Sequence, residues 1–277
     1  MQRFLASVIA TTLLASAPIH AQEALAPLKD CRALLKAARG EIDRTTQTEI
    51  EDLEDGCRFT HVGLPFDSYV SIDIDEMIIR TPDLLAVWPT GEVFESADLI
   101  LNGFALLPGQ NFNLQLVYDT DPDAMTANLE RLHLDAGALG QFTLAAKLSQ
   151  FDNTDLEASP LENEKGLLHE FELSLVDTGL SAVLLPSLML IIGSPTAEDT
   201  TAIATTIRSW PESRISKKSA ESLVRFLTAL PNLSGNWTLQ FESEEGLAIN
   251  TLVAGSFDAF ADAIPYDAKI EATAAKR

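Results

Sequence analysis

Basic side chains are scarce in this sequence, with 19 Lys and Arg against 41 Asp and Glu and a net charge of −22 at neutral pH. A surface this acidic repels phosphate, which excludes a general nucleic-acid or anionic-membrane binder. Cysteine is scarcer still. Two in 277 residues exclude a disulfide-stapled miniprotein and a cysteine-rich metal site. The sequence contains no G-x-S-x-G, no H-E-x-x-H, no Walker-type phosphate loop and no G-x-G-x-x-G. No apolar run in the mature chain reaches the ~20 residues that a membrane-spanning helix needs. What is abundant is apolar side chain. At 46% hydrophobic and 22% charged, the chain can bury a core, and a wholly disordered polypeptide is excluded.

Residues 1–21 read Met-Gln-Arg, an apolar run from Phe4 to Pro18, and Ile19-His20-Ala21. A basic start, a short apolar stretch and a small residue predict a signal peptide, cut after Ala21 or alternatively after Ala17. No cysteine stands close enough behind it for a lipoprotein start. The mature chain, 22–277, is then expected to be periplasmic or secreted. In an oxidising compartment Cys31 and Cys57 are expected to pair, closing a loop worth ~3–4 kcal/mol in the chain-entropy model. Two buried free thiols are the alternative. There is no C-x-x-C, so a thioredoxin-type role has no support.

Leu28, Cys31, Leu34, Leu35 and Ala38 recur at helical spacing, which predicts a helix over 27–39. Residues 41–56 are acidic and read as a solvated connector. From Arg58 the period becomes two. Val70, Ile72 and Ile74 alternate with polar residues, and the break at Glu76 predicts a bulge. Runs 97–107 and 111–119 flank a Pro108-Gly109 turn, and 129–136 and 141–151 flank a second turn at Gly137–Gly140. Residues 167–177 follow, with Phe171, Leu173 and Leu175 on one face.

The pattern then turns helical. Residues 180–192 are apolar all round and predict a buried helix. Ser194-Pro195 predicts the start of another, and Ser216 caps a third with Ala220, Leu223, Val224 and Leu227 as its stripe. Trp237, Leu239 and Phe241 mark one closing strand and 247–253 a second, across a hairpin turn at Ser243–Gly246. The tail after Asp267 is expected to fray. Strands followed by helices predict one α+β domain over 22–277. It comprises a β-rich part (58–177), a helical cluster (180–230) and closing strands (235–254), with the helices on one face of an extended antiparallel sheet.

Few residues point to chemistry. His61, His133 and His169 stand apart in strand patterns, without metal-ligand spacing, and read as strand histidines. Asp73/Asp75 and Glu170/Glu172 share faces, but an acidic chain offers many such pairs. The one local motif is Asp119-Thr120-Asp121-Pro122-Asp123-Ala124, ending at Glu130. It is similar to an EF-hand loop, with Asp119, Asp121, Asp123 and Glu130 as candidate calcium ligands. Ala124 replaces the turn glycine, Pro122 stiffens the loop, and a strand precedes it. The competing reading is an acidic turn without a cofactor.

Leu139-Gly140-Gln141-Phe142-Thr143-Leu144, the Leu173–Leu180 stretch with its Asp177-Thr178-Gly179 turn, and Ser219-Ala220-Glu221-Ser222-Leu223 before a final strand pair form a set. Together they resemble β-rich proteobacterial cell-envelope proteins of the periplasm, over about half of the mature chain. The resemblance implies an exported, β-rich protein and assigns no catalytic residue. The expectation is therefore a non-enzymatic exported protein whose sheet holds an apolar, lipid-like molecule or a protein partner. A structural or assembly factor of the envelope, or a hydrolase with an unrecognised site, are the alternatives.

Overall fold

The computed structural model describes residues 26–39, 48–65, 71–90, 94–107, 110–151, 166–182, 197–229, 233–252 and 263–275. The stretch 1–21 expected to be a signal sequence, the expected Ser194-Pro195 cap and most of the apolar stretch 180–192 lie outside them. The architecture is α+β and dominated by antiparallel strands that pair in sequence order. The chain forms two compact units, Met1–Asp119 and Thr120–Arg277.

The first unit opens with α1 (Cys31–Arg39). This helix starts later than the apolar spacing predicts, because Asp30 supplies the cap: its carboxylate accepts the Ala33 N–H at 2.8 Å. Leu34 and Leu35 are buried, and Cys31 and Cys57 form the expected disulfide with 5.6 Å between their Cα atoms. The acidic run 41–56 is not only a connector. It contains strand β1 (Glu49–Leu53), paired with β2 (Gly56–Pro65) from Glu49–Thr60 to Leu53–Gly56. The backbone pairs while the carboxylates stay outside, and Arg58 binds Glu51 at 2.9 Å and Glu76 at 3.3 Å.

β3 (Ser71–Arg80), a short helix α2 (Leu84–Val87), β4 (Ser96–Leu107) and β5 (Gln110–Asp121) complete the meander. One face carries the rows Cys57–Ile79–Leu99–Leu116 and Phe59–Met77–Leu101–Leu114. The break in alternation near Glu76 is real, and its neighbours share it. Buried positions shift from Phe59 to Val62 on β2, from Met77 to Ile74 on β3 and from Leu101 to Phe104 on β4. His61 takes φ 55° and Gly103 φ 65° at that level, and β4 gains an extra residue against β5. A strand that inserts one residue must turn its inner face over, and adjacent strands follow to keep one face apolar.

The second unit holds β6 (Thr126–Asp135), β7 (Gly140–Ser149) and β8 (Leu167–Asp177). α3 (Ala197–Ser209) and α4 (Lys217–Ala229) follow, then β9 (Gly235–Ala248) and β10 (Lys269–Ala275). The buried Asp177 carboxylate accepts the N–H groups of Gly179 (2.7 Å) and Ser181 (3.2 Å), starting a helical turn at Leu180. Ser216 caps α4 as its sequence predicts, through the Ser219 N–H at 3.1 Å. Arg208 of α3 and Glu221 of α4 form a two-pronged pair at 2.7 and 2.9 Å.

Two expectations fail at the C-terminal end. Ser243–Gly246 is not a hairpin turn, because β9 runs through it as a wide bulge and ends in a 3₁₀ turn (Ile249–Leu252). The segment after Asp267 does not fray. It forms β10, whose Ile270 and Ala272 are buried opposite Phe241 and Leu239. α3 and α4 close over that end through Ile207, Leu223 and Val224, which pack with Phe241, Leu247 and Ile270.

Candidate functional site

Two features of the second unit carry chemistry, one on each face of its sheet. The first is apolar. Strand register places Leu132, Leu144, Leu173 and Leu239 side by side across four strands. The flanking rows are Leu134–Phe142–Leu175–Trp237 and Leu129–Ala146–Phe171–Phe241. The β9–β10 end of these rows is buried under α3 and α4, and Trp237 meets Phe226 of α4 edge-on at 5.5 Å. On β6, β7 and β8, Leu129, Leu132, Phe142, Leu144 and Leu173 are half-buried, whereas Leu134 and Leu175 are buried. Five large apolar groups in register, each keeping part of its surface open, form a strip that an apolar molecule can cover at a gain of ~25 cal/mol per Å².

The second feature is polar and sits where three strands lose register. His169 is the extra residue of β8 against β7, and β9 answers with the Ser243–Gly246 bulge. The imidazole bridges these strands. Its Nε2 lies 2.7 Å from Ser149 Oγ at the end of β7, and its Nδ1 lies 3.1 Å from the Ser243 carbonyl oxygen. A carbonyl only accepts, so Nδ1 carries the proton, and in the neutral imidazole Nε2 is then the acceptor for the serine hydroxyl. Gly246, at φ 80°, makes room for the ring: a Cβ there would stand 2.9 Å from His169 Cε1.

Asp267 fixes the bulge from behind. Its carboxylate accepts the Ser243 hydroxyl at 2.8 Å and the N–H groups of Glu244 and Glu245. Partial desolvation pulls its pKa up, but the Ser243 hydroxyl and the two N–H groups outweigh that and hold it below the ordinary 3.8.

The candidate calcium ligands do not gather. Asp119 and Asp121 lie in β5, Asp123 in the following turn and Glu130 in β6. The Asp121 carboxylate is occupied as an Asx cap, accepting the Ala124 N–H at 2.9 Å. Among the described residues no three His, Cys, Asp or Glu side chains converge as a metal site. Of the other strand histidines, His133 bonds Thr143 through Nδ1 at 2.8 Å. His61 occupies the kinked row of the first unit. The Ser149–His169–Ser243–Asp267 chain was not legible beforehand, because its members span four segments and no short motif links them. No protein-family model, curated protein or solved structure matches the chain.

Proposed function

We propose that the chain is an exported protein that holds an apolar, lipid-like molecule against the sheet of its second unit. The observation that carries this reading is the half-buried strip Leu129, Leu132, Phe142, Leu144 and Leu173, which shares its face by register with the buried Leu175, Trp237 and Phe241. Contiguous apolar surface left part-open on one sheet face is surface that an apolar ligand can bury. Export is supported by the Cys31–Cys57 disulfide, since such bonds persist in oxidising compartments. No helix among the described residues is long and apolar enough to cross a membrane. The acidic charge fits recognition through an acyl chain and not through an anionic headgroup, which it would repel.

Titration with an uncharged fluorescent fatty-alcohol analogue tests the reading. Wild-type protein is expected to bind saturably, and Leu144→Gln to weaken binding by roughly tenfold or more, since it puts an amide into the strip. Absence of saturable binding, with the fold intact, favours the structural or assembly role instead.

A further inference from the structure

We propose that Ser149 is a nucleophile activated by His169, giving the polar face of the second unit an acyl-transfer activity toward carboxylic esters. It adds to the apolar-binding reading and does not depend on it, because Ser149 and His169 directly follow the core-facing Leu148 and Leu168 and occupy the other face.

The case is the construction around one imidazole. A serine–histidine contact between adjacent strands needs no bulge. Here β9 contributes three more residues than β8 between the Leu168–Leu247 and Glu170–Glu242 pairs. Those residues bring the Ser243 carbonyl to Nδ1, and Asp267 holds them in place. Gly246 removes a Cβ that would collide with the ring. The result is a histidine whose tautomer and orientation are both set, with the Nε2 lone pair 2.7 Å from a hydroxyl. This is the relation of base to nucleophile in acyl-transfer sites, with a backbone carbonyl in the place of the orienting carboxylate. Ser149 is the last residue of β7, paired with Thr126 and Leu167 and half-buried, and the next residue, Gln150, is exposed at φ 52°.

In the reaction, Ser149 Oγ bonds to the ester carbonyl carbon while its proton passes to His169 Nε2. The carbon–alkoxy bond breaks, and that proton leaves on the alcohol. Water then attacks the acyl-serine with His169 again taking the proton, which releases the carboxylic acid and restores Ser149.

A fluorophosphonate probe tests this directly, because it needs only the nucleophile and its base. The Ser149 Oγ–P bond forms, the P–F bond breaks, and the proton and fluoride go to solvent. The expected result is one adduct per chain by intact mass, mapped to Ser149. It should be lost in Ser149→Ala and slowed by roughly a hundredfold in His169→Gln. Thermal melts of both variants show whether they stay folded. If either unfolds, competition for the adduct on wild-type protein by a short-chain p-nitrophenyl ester keeps the test open. No adduct on folded wild-type protein, or an adduct elsewhere, overturns the proposal and leaves the cluster as a clamp for the bulge. Binding of the uncharged apolar probe is read separately, so failure of one does not disguise failure of the other.

Discussion

Single residues in this protein hold positions that their neighbours cannot fill. Asp267 accepts three hydrogen bonds from the β9 bulge, and its pKa is depressed in the folded state. A depressed carboxylate contributes stability above its unfolded pKa, and that contribution is lost as pH falls through the folded value. Asp267→Asn is therefore expected to lower the melting temperature at pH 7, with the gap to wild type closing below about pH 3.8. A gap independent of pH would separate the effect from the charge. Tyr118 shows the opposite sign. Burial pushes its hydroxyl up to about 12. The stability it confers is present below the ordinary value of 10.0 and is lost as pH rises toward 12. A spectrophotometric titration should show one late phenol step that Tyr118→Phe removes. The disulfide residues were readable in the sequence, because only two cysteines exist to pair. Replacing both with serine should cost about 2–5 kcal/mol in a denaturant melt.

At the scale of elements, legibility followed hydrophobic periodicity. The strand over 167–177 and the turn at Gly137–Gly140 lie where the alternation places them, and the break at Glu76 marks a row where three strands turn over together. β1 was missed because its sequence, Glu-Ile-Glu-Asp-Leu, carries little apolar signal, and pairing with β2 is what makes it a strand. β10 was missed although Ile270, Ala272 and Ala274 alternate with Lys269, Glu271 and Thr273, because alanine is a weak strand marker. Ser243–Gly246 looks like a hairpin turn, since turns and bulges draw on the same residues. What distinguishes them here is Asp267, more than twenty residues away, which binds the Glu244 and Glu245 N–H groups. The kinked row of the first unit has a glycine at a position that disfavours any side chain. A Cβ on Gly103 would stand 2.1 Å from the Asp75 carboxylate, at φ +65°. Gly103→Ala is expected to destabilise by about 1–3 kcal/mol in urea denaturation. A neutral result would mean that β4 can give up its bulge.

For the molecule as a whole, the strands set the character and the helices decide which part of each sheet face is closed. In the second unit α3 and α4 close the β9–β10 end and leave the Leu132–Leu144–Leu173 row half-buried. Sequence periodicity identifies which side chains share that face, but it does not identify where cover stops, since that depends on helix placement. It is also blind to the His169 cluster, whose members meet only through the fold. Native mass spectrometry of protein purified from a mild extract tests the central claim most directly. A discrete added mass is expected, removed by delipidation and absent from Leu144→Gln. A bare polypeptide mass from wild-type protein, under conditions that preserve its fold, would contradict it.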